Sequence, residues 1–325
     1  MRGLIRYADI TGKPEYVNEV EKRWEIYRKQ GMTEFYGNYN WFCRYDTWTE
    51  PCAIVDAFMV ASQLWQHTGK AEYRDDAERI YYNAICLAQR SNGGFGLENS
   101  PGKARNSHSV TMNCDEAHWC CTMRGGEGLG RAADYTAFKK DNELAIPFFR
   151  SVKVAEKLNA GDVNIEMSTE YPFGNGVSVN VKAAPDKKIT LSLEKTSWMK
   201  NYVVKVNGKS VKYDDADGLA KVTRRFKAGD KLTVSFEMAP RYEGMVNSEN
   251  SNPGDFRVMY GPLVLACGVG DDTNVAYGEE FGGSVRESFK GNKSGVVLSP
   301  LYHLMSPKVN MAAQPPFSRR IVFTK

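Results

Sequence analysis

A chain of 325 residues with 42% hydrophobic content can bury more than one core, and at roughly 100–200 residues per domain it reads as two globular domains. Its 43 basic and 39 acidic residues leave a formal charge of +4, and the basic clusters Lys139-Lys140, Arg224-Arg225 and Arg319-Arg320 are doublets, which argues against nucleic acid as the main partner. No apolar run approaches the roughly 20 residues of a membrane helix, and Met1 leads into Arg2-Gly3-Leu4-Ile5-Arg6-Tyr7 with no apolar signal core, so a membrane partner is not expected and the compartment stays open.

The first 140 or so residues carry helical spacing and a repeat. Thr11-Gly12-Lys13-Pro14-Glu15-Tyr16 returns as Thr68-Gly69-Lys70-Ala71-Glu72-Tyr73, an offset of 57 positions, with Glu21 answering Glu78 and Trp24 answering Tyr81. In each copy the glycine can end one helix in a left-handed cap while Pro14 or Ala71 suits the first turn of the next, so each unit is predicted to be an αα-hairpin. Ile54, Phe58, Ala61 and Trp65 form one apolar stripe, and Ala77, Tyr81, Ala84 and Ala88 another. Hairpins of this kind must stack into a solenoid or close into a toroid to bury their faces.

Between the first copies, Glu34 stands among Phe35, Tyr36, Tyr39, Trp41, Phe42 and Trp48 in a stretch that fits neither helix nor strand. Aromatic clefts with one or two carboxylates suit sugars, because rings stack on sugar faces while an acid protonates the leaving oxygen. A surface glutamate beside a hydrophobic cluster is the plainer alternative.

Glu50-Pro51-Cys52 and Cys120-Cys121 are the candidate metal ligands. Neighbouring cysteines do not readily close a disulfide on each other, so three thiols and a carboxylate read as one soft tetrahedral site suited to zinc. Glu50 and Cys52 sit two apart and would point to different sides of a regular helix, so a shared role requires a capping conformation, which Pro51 favours. Structural alternatives stay open: Glu50 as a first-turn carboxylate, Cys52 as a small buried hydrophobe, and Cys120-Cys121 as core thiols. Gly125, Gly126, Gly128 and Gly130 follow the cysteine pair, a poor composition for a plain helix. No strand precedes these glycines and no P-loop lysine follows them, so a phosphate cradle has weak support. His67, His108, His118 and His303 are too scattered for a metal triad, and Cys43, Cys86 and Cys267 read as structural thiols, with Cys114 a spare near the cluster.

From about Asp162 the period changes to two: Val177, Val179 and Val181, then Ile189, Leu191 and Leu193, then Leu232, Val234 and Phe236 alternate with polar residues. Asn207-Gly208 between two such runs is a strong hairpin signal, and Ala228-Gly229-Asp230 is a second turn. The predicted division is therefore a helical domain over residues 1–145 and an antiparallel β-sandwich over residues 146–325, with Gly268–Lys325 read as loops apart from Val296-Val297-Leu298 and Ile321-Val322-Phe323.

The ordered set Glu34, Glu50-Pro51-Cys52 and Cys120-Cys121 resembles that of the β-L-arabinofuranosidases of glycoside hydrolase family 127 and their relatives. Tyr73-Arg74-Asp75-Asp76-Ala77-Glu78-Arg79-Ile80-Tyr81-Tyr82-Asn83 is similar to the helix after that family's first ligand cluster. Ser197-Trp198, Val206-Asn207-Gly208, Gly229-Asp230, Met238-Ala239-Pro240-Arg241 and Tyr260-Gly261-Pro262-Leu263-Val264 follow the family's order, so the likeness covers roughly residues 1–270. The resemblance implies a partial (α/α)6 toroid followed by a β-sandwich, and a retaining glycosidase acting on arabinofuranosides or a related plant glycan. It implies Cys120 as nucleophile, Glu34 as acid/base, and Zn2+ held by Glu50, Cys52, Cys120 and Cys121. Thr122-Met123-Arg124 replaces the Pro-Pro-Asn that commonly follows the family's double cysteine, which points to a different subgroup or sugar. The family's toroid also begins upstream of this chain's first residue, so the chain is read as an incomplete portion, weakly active or inactive unless another piece completes the toroid. Two other functions stay open: a carbohydrate-binding protein without catalysis, and a zinc that only staples two helices.

Overall fold

The helical spacing of the first 88 residues folds as two successive helix pairs, whereas Leu97–Asn99 and Ser109–Cys114, inside the stretch expected to be helical, are strands that pair in a sheet with Ser318–Arg320. The computed structural model describes residues 1–41, 47–100, 108–114, 116–117, 120–269, 274–305 and 318–325. Its helices are α1 (Arg2–Thr11), α2 (Glu15–Ile26), α3 (Pro51–Thr68), α4 (Ala71–Ile80), α5 (Cys86–Ala88), α6 (Cys120–Asp134) and α7 (Leu301–Met305). Gly12 and Gly69, at the same place in the repeat, have φ of 67° and 69°. Both take the left-handed conformation that glycine adopts at no steric cost.

The repeat continues further than the matched sequence. The second helix of each pair runs into a π-helical turn, Tyr27–Gly31 and Tyr81–Ile85. A tight loop follows, directly in the first copy and after the short helix Cys86–Ala88 in the second, closed by the bridges Met32–Asn38 and Gln89–Phe95. The bonds inside the loops correspond as well: Thr33 N–H to the Gly37 carbonyl (3.0 Å) matches Arg90 N–H to Gly94 (2.8 Å), and Tyr39 N–H to Gly31 (2.9 Å) matches Gly96 N–H to Ala88 (2.8 Å). The bridges and bonds of the two loops are offset by the same 57 positions, whereas the π turns are offset by 54. Between the copies, the Trp24 indole N–H donates to Asp76 at 3.0 Å in the core, and Arg28 reaches the same carboxylate at 3.1 Å.

The chain divides into two compact units, one of Met1–Thr68, Asp75–Gly130 and Pro240–Lys325, the other of Gly69–Arg74 and Arg131–Ala239. The second unit holds two sheets. One contains the strands Val152–Leu158, Gly161–Thr169, Gly176–Ala183, Lys231–Glu237, Lys200–Val206 and Lys209–Ser210, all antiparallel. The other contains Asp214–Ala216, Leu219–Arg225, Lys188–Glu194, Glu143–Ile146 and Phe138–Lys140, where Glu143–Ile146 runs parallel to Lys188–Glu194. The expected alternating residues are buried in both sheets, including Val177, Val179, Val181, Ile189, Leu191, Leu193, Leu232 and Val234. At the predicted hairpin, Asn207 and Gly208 have φ of 50° and 79°, as a two-residue turn matched to strand twist requires.

Period-two spacing attaches residues 240–325 to the sandwich, whereas in the structure this stretch groups with the helical unit. It also contains more strand than its composition suggests. Pro240–Gly244, Asp255–Tyr260, Leu263–Ala266, Val297–Pro300, Ser288–Gly291 and Phe281–Ser284 pair in one sheet, and Phe323–Thr324 joins Asp255–Tyr260. Side-chain bonds to helical residues explain the grouping. Asn83 on the second π turn donates to the Pro262 carbonyl at 2.8 Å and accepts from Val264 N–H at 2.7 Å, and Arg79 pairs with Glu243 at 2.9 Å. Period two identifies a strand but not the surface it covers. Among the described residues, no helix is long and apolar enough to cross a membrane.

Candidate active site

Two helix N-termini meet at the cysteines. The Glu50 carbonyl accepts from Ala53 N–H (3.0 Å) and Ile54 N–H (3.1 Å), so Glu50 caps α3 and Cys52 lies in its first turn, while Cys120 and Cys121 open α6. The two helices are close-packed: a Cβ on Gly128 would lie 2.6 Å from a Val55 methyl, and Arg124 of α6 forms ion pairs with Asp56 of α3 and with Glu127. Arg2 adds a bond to Asp56 at 2.7 Å. The ligand atoms of Glu50, Cys52, Cys120 and Cys121 consequently lie within 4.8 Å of one another, with the Cys120 and Cys121 sulfurs 3.9 Å apart.

The positive ends of both helix dipoles favour anionic sulfur at this point. Without a cation, crowding opposes it. Burial, reinforced by Cys120, pushes the Cys52 thiol up to about 11, and burial together with Cys52 pushes the Cys121 thiol higher still. Three soft sulfurs and one carboxylate could hold a metal ion, and such a cation would relieve the mutual repulsion of thiolates. Cys121 is buried, Glu50 and Cys52 are half-buried, and Cys120 is the exposed member.

Glu34 sits in the tight loop after the first π turn and is 2% exposed, which removes the surface-glutamate alternative. Its carboxylate accepts from the Tyr39 hydroxyl at 3.1 Å and from the Ser100 hydroxyl, and its carbonyl accepts from Arg257 at 2.7 Å. Phe35 and Tyr36 are fully buried core residues rather than cleft walls. Trp41 and Trp48 are the exposed aromatics of this stretch, and Phe42 lies outside the described residues.

A buried polar network joins the neighbourhoods of the acid and the cysteines. Arg90 and Glu98 form an ion pair at 2.6 Å with both side chains out of solvent. Thr49, next to Glu50, accepts at its hydroxyl from Glu98 N–H (3.2 Å), and its own N–H donates to the Glu98 carbonyl at 2.7 Å. Ser100, two residues past Glu98, holds Glu34. A cavity of about 510 Å3 is lined in part by Arg2, Asn38, Tyr39, Asn40, Ala53 and Asp56, and meets the site through Tyr39, which bonds Glu34, and Ala53, the neighbour of Cys52.

Spacing gave no sign of Ser100, Arg90, Glu98, Asp56 or Arg257. The partners that tie them to the site are 8 to 223 positions away, and the equivalence of Arg90 with Thr33 emerges only from the backbone bonds of the two loops. His67 pairs with Asp9 at 2.8 Å and His108 approaches Thr324 at 3.4 Å, so neither joins the cluster. His118 and Cys43 lie outside the described residues.

Two family models match the chain. The GH127 β-L-arabinofuranosidase catalytic domain matches residues 1–134, and the GH127 middle domain matches residues 143–238. A solved GH127 β-arabinofuranosidase is similar over 99% of this chain and 58% of its own, at 19% identity and a TM-score of 0.79. A GH127 β-L-arabinofuranosidase from Geobacillus stearothermophilus T6 is similar over the same shares at 16% identity and 0.77. A third structure, described as a glycoside hydrolase, is similar over 99% of this chain and 64% of its own at 14% identity and 0.77. The chain thus spans about 58–64% of the length of these relatives, and the likeness at such identities concerns the fold. No curated protein sequence matches it. On the two domain models taken together, the chain belongs to the GH127 β-L-arabinofuranosidase family.

Proposed function

We propose that this chain is the greater part of a retaining glycosidase acting on β-L-arabinofuranosides or a related plant glycan. Its hairpins would form part of an (α/α)6 toroid, and the two sheets of residues 131–239 its β-sandwich. The observation that carries this reading is the Glu50, Cys52, Cys120 and Cys121 cluster at two helix N-termini, with Cys120 alone exposed, in a chain of this family.

The four residues would hold Zn2+, which supplies a positive charge that keeps the sulfurs ionised at neutral pH. Cys120 would present its sulfur to the anomeric carbon. In the first displacement the carbon–sulfur bond forms as the glycosidic carbon–oxygen bond breaks, and Glu34 gives its proton to the departing oxygen. In the second, the Glu34 carboxylate takes a proton from water, the water oxygen bonds to the same carbon, and the Cys120 thiolate leaves. Two inversions retain the configuration. Tyr39 and Ser100 orient the Glu34 carboxyl through both its oxygens.

The test is metal content together with turnover of aryl arabinofuranosides. In an enzyme whose toroid is complete, Cys120→Ser and Glu34→Gln should each abolish turnover while Cys86→Ser leaves it intact. Wild-type turnover by either of the first two variants would overturn the assigned roles.

A further inference from the structure

Tyr36 has φ of 66°, a left-handed conformation that is strained for a residue with a side chain. The repeat supplies an internal comparison. The residue 57 positions on is Gly93, with φ of 85°, in a loop closed by the same backbone bonds. Glycine therefore suffices for the turn. The copy that uses tyrosine instead is the copy that carries Glu34; the second copy has Ser91 there.

The strained tyrosine is held from several sides. Its ring is fully buried, with the Arg257 guanidinium 4.7 Å from the centroid and that of Arg79 at 5.4 Å. Glu243 accepts from Arg79 at 2.9 Å and from Arg241 at 2.6 Å, and lies 3.5 Å from the Tyr36 hydroxyl. Arg257 is itself fully buried, and it spends its two terminal nitrogens on the carbonyls of Glu34 (2.7 Å) and Gly244 (3.0 Å). Burying a guanidinium is expensive, and a glycine turn would need none of this.

We propose that Arg257 is a positioning residue for Glu34. It fixes the main chain at residue 34 directly and the following turn through the face of Tyr36, so that Tyr39 and Ser100 meet a carboxyl already in place. The strand Asp255–Tyr260 thereby belongs to the working site, although it lies more than 200 positions from it in sequence. This inference rests on the assignment of Glu34 as acid/base, and displacement of such a group by about 1 Å can cost about 10²-fold in rate.

The experiment compares wild type, Glu34→Gln, Arg257→Gln and Arg257→Lys, with exchange and metal content read on this chain and turnover on the enzyme whose toroid is complete. Hydrogen exchange reads the positioning without turnover: the Tyr36 and Gly37 amides should exchange faster in Arg257→Gln, with the α3 amides and metal content unchanged. Unchanged protection of that turn overturns the proposal. Turnover reads its consequence through the leaving group. Proton donation matters for an alkyl aglycone and little for dinitrophenol, so Arg257→Gln should lose about 10- to 100-fold in kcat on the former with KM unchanged, and little on the latter. Arg257→Lys should recover part of the loss, and it replaces Arg257→Gln if that variant does not fold. Equal losses on both substrates indicate a general structural role and overturn the proposal. If instead Glu34→Gln shows no such leaving-group dependence, the assignment of Glu34 fails, independently of the exchange result.

Discussion

Gly126→Ala should stabilise the protein whereas Gly125→Ala should not, although the two glycines are neighbours in α6. In a helix interior, glycine to alanine gains about 1 kcal/mol by propensity alone. At Gly126 nothing lies within 4 Å of the added carbon, so the gain is kept. At Gly125 the carbon would overlap the Phe95 ring, well inside the 3.0 Å below which such contacts essentially do not occur. Phe95 cannot easily yield, since its ring is 2% exposed, its N–H donates to Thr122 at 3.2 Å and its carbonyl accepts from Ala117 at 2.8 Å. Overpacking costs roughly 1–3 kcal/mol, which after the propensity gain leaves Gly125→Ala between neutral and about 2 kcal/mol less stable. Relief by shifting α6 would carry Cys120 and Cys121 away from Cys52, so metal affinity should fall in Gly125→Ala and hold in Gly126→Ala. Denaturant titrations with and without zinc, with metal stoichiometry, measure both quantities. A Gly125→Ala variant as stable as Gly126→Ala would refute the packing argument.

Cys52→Ser should lower metal occupancy and thermal midpoint together, because ligand binding and folding are linked; a full complement of metal in this variant would remove Cys52 from the site. Arg90→Met leaves Glu98 buried without its cation and should cost about 3–5 kcal/mol, read from denaturant midpoints; a loss below about 1 kcal/mol would show that water reaches the pair. For Glu243, burial opposes ionisation but Arg79, Arg241 and Arg257 outweigh it and hold the carboxyl below its ordinary value of 4.5. A depressed carboxyl contributes stability that is fully present above that ordinary value and is lost as the pH falls through the lowered one. Glu243→Gln should therefore flatten the acid limb of a stability–pH profile, and an unaltered limb would assign it to other groups.

The legible parts of the site were those encoded by short spacings. Glu50-Pro51-Cys52 required a capping conformation to work as a pair, and Glu50 occupies the cap of α3. The glycines after Cys121 signalled a purpose other than helicity, and Gly125 and Gly128 are the positions where Phe95 and Val55 come too close for a side chain. The aromatic stretch around Glu34 was less well read, because hydrophobicity does not separate a ring on a cleft wall from one in the core. Phe35 and Tyr36 went to the core, while Trp41 and Trp48 stayed exposed.

By itself the sequence determined the local geometry: the first helix of each pair ended by Gly12 or Gly69, the strands with alternating valines, the Asn207-Gly208 turn, and the kinds of atoms available for a metal. Periodicity, capping and turn chemistry act over a few residues, so a linear pattern suffices to reveal them. Tertiary structure alone decided that the N-termini of α3 and α6 converge, that Ser100 and Tyr39 grip Glu34, and that residues 240–325 join the helical unit, with Arg257 under the Glu34 turn. Those choices depend on which buried surfaces and unpaired polar groups meet across distant parts of the chain, and spacing along the chain does not record them.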